Sequence, residues 1–119
     1  MQVVNIAEKL SQLTDYWSPR IVGELNGHHV KVVKLKGEFV WHQHLNEDEM
    51  FFLVSGRLRM RLRDREFTIE GGEFFIVPRG TDHLPIAEEE CAVLLFEPAS
   101  TLNTGNLHNE RTVADPKWI

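Results

Sequence analysis

The stretch His42-Gln43-His44-Leu45-Asn46-Glu47-Asp48-Glu49 decides the fold of this chain and points to its chemistry. His42 and His44 stand at positions i and i+2, and in extended backbone such side chains share one face. A short polar loop follows, and Glu49 opens the next predicted strand, where its carboxylate can meet the two imidazoles across the turn. A histidine pair alone is more often exposed or hydrogen-bonded than metal-bound. The interpretation therefore depends on the rest of the chain.

A third histidine completes a candidate donor set. His83 follows the turn Pro78-Arg79-Gly80-Thr81-Asp82, and only a closed tertiary structure can bring it to the other donors. Three imidazoles and one carboxylate suit one divalent transition metal (iron, manganese, nickel, zinc or copper) and disfavour calcium, which prefers oxygen ligands. A six-coordinate metal would keep open positions for water, substrate or dioxygen. The predicted metal ligands are His42, His44, Glu49 and His83.

Length and composition indicate one ordinary domain over residues 1–119, because 119 residues with 42% hydrophobic content can enclose only a modest core. The 13 Lys and Arg residues against 18 Asp and Glu give a formal charge of −5, which disfavours nucleic acid and anionic membranes as partners. No window approaches the apolar length that crosses a bilayer, and the start lacks a targeting pattern. Cys91 is the single cysteine and suits a reducing compartment, so we expect a cytoplasmic protein.

The periodicity of the chain changes from helical to alternating near Arg20. Asn5 can cap a short helix that runs to Leu13, within an N-terminal segment 1–19. Asn26-Gly27 is a hairpin turn, and turn signals recur roughly every eight to twelve residues, which is typical of an all-β sandwich or barrel. The predicted strands are 21–22 with 30–33, Glu38–His44, Glu49–Val54, Arg57–Arg63, Glu66–Ile69, Phe74–Val77, His83–Ala87 and Cys91–Phe96.

Three further segments predict how the strands are covered. Residues 50–54 and 74–77 are apolar on both faces, so each needs a covering layer on both sides, which favours a second sheet or a homodimer. Four arginines alternate along 57–63 on one face, which is more typical of a solvated face than of a nucleic-acid stripe. The arm 98–119 keeps Trp118 and Ile119, so we expect it to dock on the domain or on a neighbouring subunit.

These motifs resemble the cupin superfamily. Its first motif is matched by Gly37, four residues, His42-Gln43-His44, four residues, Glu49, six residues and Gly56, and its second by Gly72, Pro78-Arg79-Gly80 and His83. The first spacer is one residue short, and Ala87 replaces a closing Asn that is not a metal ligand in the family. The resemblance implies a double-stranded β-helix, or jelly-roll barrel, over about residues 20–97, a metal on the four predicted ligands, and often a dimer. Single-domain cupins of this length resemble mannose-6-phosphate-isomerase-like proteins.

The remaining histidines and the cysteine have no ligand-like spacing. We interpret His28, His29 and His108 as surface or hairpin-tip residues, and Cys91 as a small buried hydrophobe. Reactive or metal-binding roles for these residues remain the less favoured alternative.

The residues flanking the motifs could shape a pocket. Trp41 has the opposite parity to the histidines and should face away from the metal, whereas Phe51 and either Phe39 or Val40 could line the cavity. Arg79 could reach an anionic substrate at the barrel mouth, although an exposed turn arginine is the more favoured interpretation.

The fold does not determine the reaction. Our first hypothesis is a metal-dependent enzyme that acts on a small oxygenated molecule, of the dioxygenase or the sugar or keto-acid isomerase type. No residue outside the four ligands stands out as a general base, which favours chemistry carried by the metal. The alternative is a non-catalytic module that binds or senses a small molecule at the same site. The segment before the strands has room for only one helix, which disfavours a DNA-binding regulator.

Overall fold

The computed structural model describes residues 1–119 as one short helix followed by seven antiparallel strands. Asn5 caps the helix by accepting a hydrogen bond from the Glu8 amide at 3.0 Å, as the sequence predicts, but the helix ends at Ser11, before Leu13. The elements are α1 (Ile6–Ser11), β1 (Arg20–Leu25), β2 (His28–Glu38), β3 (Glu49–Ser55), β4 (Arg57–Leu62), β5 (Glu66–Glu70), β6 (Phe74–Val77) and β7 (His83–Pro98). The all-β prediction is confirmed.

The long strand β7 organises the sheet. It pairs with β2 along one edge, while its other edge pairs first with β4 and then with β3. The sequence predicts two strands here, and this prediction is wrong because β2 pairs with β7 on both sides of residues 88–90, between Ile86 and Pro98. The three glutamates at 88–90 form an exposed bulge between the paired residues Ala87 and Cys91. The segment that resembles a turn in the sequence is therefore a bulge within one continuous strand.

The predicted strand Glu38–His44 is also wrong. Strand β2 ends at Glu38, and residues 39–48 belong to no strand apart from an isolated bridge between His42 and His83. Backbone of this kind can still place side chains at i and i+2 on one side, and both histidines are buried. The parity argument therefore reached the correct side-chain placement through an incorrect strand.

One hydrophobic core fills the inside of the sheet. It contains residues of every strand from β2 to β7, and Leu53, Leu58, Met60 and Val93 are fully buried within it. Complete burial of each such side chain stabilises the fold by about 1.5–3 kcal/mol. A second, smaller cluster packs Leu10 and Leu13 against Val32 on the outer face of β2. The N-terminal segment therefore covers one side of the sheet.

The outer face of β3 and β6 has no such cover within the chain. Phe74 and Ile76 are 59% and 55% exposed, although their neighbours Phe75 and Val77 turn toward the core. The sequence predicts a covering layer on both faces of these strands, but within the chain only the inner face is covered, by the hydrophobic core. A second subunit on the outer face stays a prediction.

The arginines of β4 lie on an exposed face among acidic partners. Arg57 contacts Glu70 at 2.7 Å, and Arg59 contacts both Glu66 and Glu88, at 3.0 and 2.8 Å. Exposed ion pairs of this kind add little stability, about 0–1 kcal/mol each. Their charges are compensated within the chain, which supports the interpretation as a solvated face.

The C-terminal arm docks on its own domain, as one of the two predicted alternatives requires. The amide of Ile21 donates to the carbonyl of Lys117 at 2.8 Å, and the amide of Ile119 donates to the carbonyl of Ile21 at 3.1 Å. Thr104, in the middle of the arm, is fully buried. The helix α1, with six residues, is too short to cross a membrane, and the structure contains no other helix.

Candidate metal centre

The backbone brings the two histidine segments together before any side chain is considered. The amide of His42 donates to the carbonyl of His83 at 3.1 Å, and the amide of His83 donates back at 2.9 Å. This reciprocal pair places the two imidazole centroids 4.2 Å apart. The start of β7 thus fixes the loop that carries the first two predicted ligands.

Two more hydrogen bonds fix the loops around Glu49. The amide of Gly80 donates to the carbonyl of His44 at 2.7 Å, and the amide of Arg79 donates to the Asp48 carboxylate at 2.8 Å. Glu49 itself starts β3 and pairs with Val77. The turn that precedes the third histidine is therefore tied directly to the loop that precedes the carboxylate.

The four predicted donors converge in the structure. Their ligand atoms all lie within 4.8 Å of one another, and all four side chains are buried. The shortest distances join Glu49 Oε1 to His44 Nε2, at 3.2 Å, and to His83 Nε2, at 3.7 Å. Residues 42, 44, 49 and 83 thus form one compact His₃Glu cluster.

Hydrogen bonds on the far side of two rings orient them toward the cluster. Nδ1 of His42 lies 2.8 Å from the carbonyl of Val40, and Nδ1 of His83 lies 2.8 Å from the carbonyl of Thr81. A ring that donates from Nδ1–H keeps an unprotonated Nε2, and this outer contact is typical of metal-binding histidines.

The inner atoms of the cluster lack hydrogen-bond partners. His44 Nε2, Glu49 Oε1 and His83 Nε2 are buried, and although they are close neighbours none is in hydrogen-bond geometry. Each unsatisfied buried polar atom costs about 1–3 kcal/mol. One cation shared by these atoms would remove that cost, and imidazole and carboxylate donors suit a divalent transition metal. The cluster could therefore hold a metal ion.

The protonation states of the donors also suit a cation. Burial, reinforced by the nearby His83, lowers the pKa of His42 to about 4. Burial pushes the pKa of Glu49 upward, but the neighbouring Glu97, His44 and His83 side chains outweigh burial and hold this pKa well below its ordinary value. At neutral pH His42 is neutral and Glu49 is ionised, as metal binding requires.

A narrow, mostly apolar cavity opens beside the cluster. Its volume is about 40 Å³, room for a few water molecules. Trp17 stacks on Phe39 with ring centroids 4.7 Å apart. Its indole N–H donates to the carbonyl of Lys36 and its backbone amide donates to the carbonyl of Lys34, and these bonds hold the ring in place. The lining residues are Trp17, Pro19, Val33, Leu35, Phe39, His42, Glu49, Phe51, Pro85, Leu95 and Asn103.

The segment that carries the cluster matches a known family. The model of the cupin domain family (Cupin_2) matches residues 29–97, more than half of the chain. The chain is a member of this family. All four residues of the cluster lie within the matched segment, so the resemblance drawn from the sequence motifs is confirmed.

Individual relatives agree with this assignment. A cupin-2 domain containing protein from Shewanella frigidimarina is 42% identical in its crystal structure, with a TM-score of 0.80 over 81% of this cupin and 94% of that chain. The uncharacterized protein YdbB of Bacillus subtilis is 32% identical over 63 residues, 52% of this cupin and 56% of YdbB. The 3-hydroxyanthranilate 3,4-dioxygenase 2 of Aspergillus fumigatus is 31% identical over 80 residues, 62% of this cupin and 42% of that protein. The chain spans about half the length of these curated relatives.

The residues around the motifs fall largely where the sequence predicts. Phe39 and Phe51 line the cavity of this cupin, whereas Val40 does not. The ring of Trp41 lies outside the cavity, 3.9 Å from the Arg63 guanidinium. The aromatic lining therefore comes from one face of each segment.

The other candidates lie away from the cluster. Arg79 is exposed and lies 3.9 Å from Asp48, so the interpretation as an exposed turn arginine holds. Cys91 is buried, and burial together with Glu90 raises the pKa of its thiol to about 12, as expected of an inert thiol. The donor cluster contains none of His28, His29 and His108.

Sequence reasoning missed a buried charged pair next to the cluster. Lys31 Nζ lies 2.9 Å from Glu97 Oε1, and both side chains are only 2% exposed. Glu97 is also a close neighbour of Glu49. Burial and the Glu49 carboxylate raise the pKa of Glu97, although Lys31 opposes the rise. A signal was present, because Lys31 and Glu97 share the inward parity of the core residues on their strands.

Proposed function

We propose that this cupin is a metal-dependent enzyme of the dioxygenase type, acting on a small and mainly apolar molecule that carries oxygen donors. The observation that carries the proposal is the position of the His₃Glu cluster, with two of its members, His42 and Glu49, in the lining of the apolar cavity. The cavity of about 40 Å³ admits only the reacting end of such a molecule, and this end would meet the metal-binding side chains and the aromatic rings of the lining.

The four clustered residues would hold the metal, and the rest of the lining would position the substrate. When bound, a divalent transition metal at such a site supplies Lewis acidity toward substrate oxygens and binds dioxygen. Trp17, Phe39 and Phe51 exclude water and offer flat apolar surfaces to a small planar ligand. The amide of Asn103 is already hydrogen-bonded to Arg111 and Val113, so it adds little polar recognition.

The cavity favours a dioxygenase over a sugar isomerase. A sugar phosphate carries many hydroxyl groups and two negative charges, yet the lining contains no basic side chain other than His42. Polar groups buried without partners are costly. The similarity to a 3-hydroxyanthranilate 3,4-dioxygenase supports the same choice, because that name specifies an oxygenated aromatic substrate. The mannose-6-phosphate-isomerase-like prediction is the less favoured one.

A non-catalytic binding module is the second candidate. It is supported by the cavity lining, which offers no acid or base beyond the cluster itself. A module of this kind would bind a small ligand at the metal without turnover.

The test begins with metal content. The purified chain is loaded anaerobically with Fe(II), and bound metal per chain is measured for the wild type, for His42→Ala and for the matched control His108→Ala, which removes an exposed histidine outside the cluster. We expect one metal per chain in the wild type and the control, and a sharp loss in His42→Ala with β-rich circular dichroism retained. Equal metal content in His42→Ala and the wild type would contradict the site.

Oxygen consumption then separates the two candidates. The iron-loaded protein is mixed with a catechol, a thiol or a diketone, and dissolved oxygen is followed. Consumption that depends on both iron and substrate, and is lost in His42→Ala, is the result expected for the enzyme. Ligand binding with several metals and no oxygen consumption would favour the module.

We also propose that this cupin forms a homodimer through the outer face of β3 and β6. Met50 pairs with Ile76 on one side and with Phe96 on the other, so these side chains form an apolar row across three strands beside exposed Phe74. Sedimentation velocity should give a dimer for the wild type and a monomer for Phe74→Lys/Ile76→Lys. Thr68→Lys, on exposed β5, should remain dimeric, and a monomeric wild type at micromolar concentration would refute the proposal.

A further inference from the structure

One turn of the C-terminal arm lies directly against the loop that carries the first two donors. The arm folds back at residues 102–107, where the amide of Gly105 donates to the carbonyl of Leu102 at 2.8 Å and the amide of Leu107 donates to that of Thr104 at 3.0 Å. Thr104 is fully buried, and its hydroxyl lies 2.8 Å from that of Thr112. The turn is therefore an ordered structure with its own anchors.

The turn forms two hydrogen bonds with Gln43, the residue between the two histidines. The amide of Asn106 donates to the Gln43 carbonyl at 2.9 Å, and the Gln43 amide donates to Asn106 Oδ1 at 3.0 Å. The His42 backbone is paired in turn with His83. Both sides of the donor-bearing loop are thus held, one by β7 and the other by the arm.

Gly105 makes this approach possible. A Cβ at this position would lie 2.2 Å from the Gln43 carbonyl oxygen and 3.1 Å from Cδ2 of the His42 ring. Its φ of +59° is also unfavourable for most other residues. The arm therefore packs so closely against Gln43 and the His42 ring that a side chain at position 105 would clash with them.

We propose that the Gly105–Asn106 turn is an outer layer of the metal centre that positions His42 and His44 through the Gln43 peptide. The inference rests on the proposed metal site. The arm lies outside the segment 29–97 that matches the family, so this support is a feature of the chain beyond the shared domain. Asn103 of the same arm lines the cavity. The arm therefore supports the metal-binding histidines and also forms part of the cavity wall.

The experiment compares cobalt(II) binding in two pairs of variants. Gly105→Ala introduces the clash, whereas the control Gly27→Ala has a similar positive φ of 78° with nothing within 4 Å of the new Cβ. Asn106→Leu removes the acceptor for the Gln43 amide, and Asn106→Asp retains an oxygen in its place. Cobalt dissociation is measured with a competing chelator, and the visible cobalt spectrum reports the geometry of the ligands.

We expect cobalt to dissociate about 10- to 100-fold faster from Gly105→Ala and Asn106→Leu, the range typical for loss of an outer-shell contact. The cobalt spectrum should change in both variants, and Asn106→Asp and Gly27→Ala should resemble the wild type. If Gly105→Ala fails to fold, the Asn106 pair decides.

Two results would overturn the inference, and they are distinguishable. Wild-type dissociation rates and spectra in Asn106→Leu and in folded Gly105→Ala would show that the arm is only a structural cover. A wild-type protein that binds no cobalt would refute the proposed metal function first, and this inference with it.

Discussion

Replacing Lys31 with methionine tests the buried charges behind the metal centre. The Lys31 ammonium is 2.9 Å from Glu97, and Glu97 in turn contacts the carboxylate of Glu49. Methionine has a similar length and fills the same space without a charge. The substitution therefore leaves two neighbouring buried carboxyl groups without their cation.

The expected cost follows from the burial of the pair. Both side chains are 2% exposed, so solvent does not screen the interaction, and removing one member of a buried pair costs about 3–5 kcal/mol. Glu97 can take up a proton to escape its charge, since its pKa is already raised, so the lower end of about 3 kcal/mol applies. For 119 residues each kcal/mol shifts the melting temperature by about 4 °C, which predicts a loss of about 12 °C.

The assay is thermal unfolding of the metal-free protein at pH 7, followed by circular dichroism. The double variant Lys31→Met/Glu97→Gln removes both charges and keeps a donor toward Glu49, so it should recover part of the lost stability. If Lys31→Met melts within about 2 °C of the wild type, a loss under about 0.5 kcal/mol, then the pair does not stabilise the fold as argued.

Three other outcomes follow from the structure. Because burial lowers the pKa of His42 to about 4, the neutral imidazole keeps its full contribution to the free energy of unfolding above pH 6.5 and loses it as the pH falls toward 4. Denaturant unfolding of the metal-free protein should therefore show a loss of about 3 kcal/mol over this range, and a smaller loss for His42→Gln. Gly56→Ala places a Cβ 2.8 Å from that of Cys91, so it should cost about 3 kcal/mol, whereas Gly72→Ala, with a similar φ in open space, should cost about 1 kcal/mol; equal costs would contradict the steric reasoning. The Cys91 thiol should react with a thiol reagent at pH 8 only after unfolding, and rapid labelling of the native protein would count against its burial.

The donor cluster could be predicted from the sequence because its geometry is set by local rules. The spacing of His42 and His44 places their side chains on one side in any extended backbone, and the turn before Glu49 returns the chain toward them. His83 required the family motif, since no local rule brings a residue so distant in sequence to the same point. The motif encodes the closed fold that does so.

The lengths of the strands were harder to predict because they depend on the neighbouring strands. Residues 39–44 alternate like a strand, yet the structure gives them only the bridge at His42. Residues 88–90 are three glutamates that resemble a turn, yet β7 continues through them because β2 lies alongside. Pairing partners, rather than propensity, decide where these strands end.

The surroundings of the cluster depend on contacts that no spacing encodes. Lys31 and Glu97 lie on the inward parity of apolar strands, where a lone charge would be costly, and only the fold shows that each has the other as partner. Gly105 follows a stretch without periodicity, and its role emerges only from the packing of the arm, where a Cβ at this position would lie 2.2 Å from the Gln43 carbonyl oxygen. The sequence therefore specifies which atoms can bind a metal, whereas the packing around those atoms determines how firmly they are held. Metal affinity should accordingly respond to substitutions in the arm, outside the motifs that identify the family.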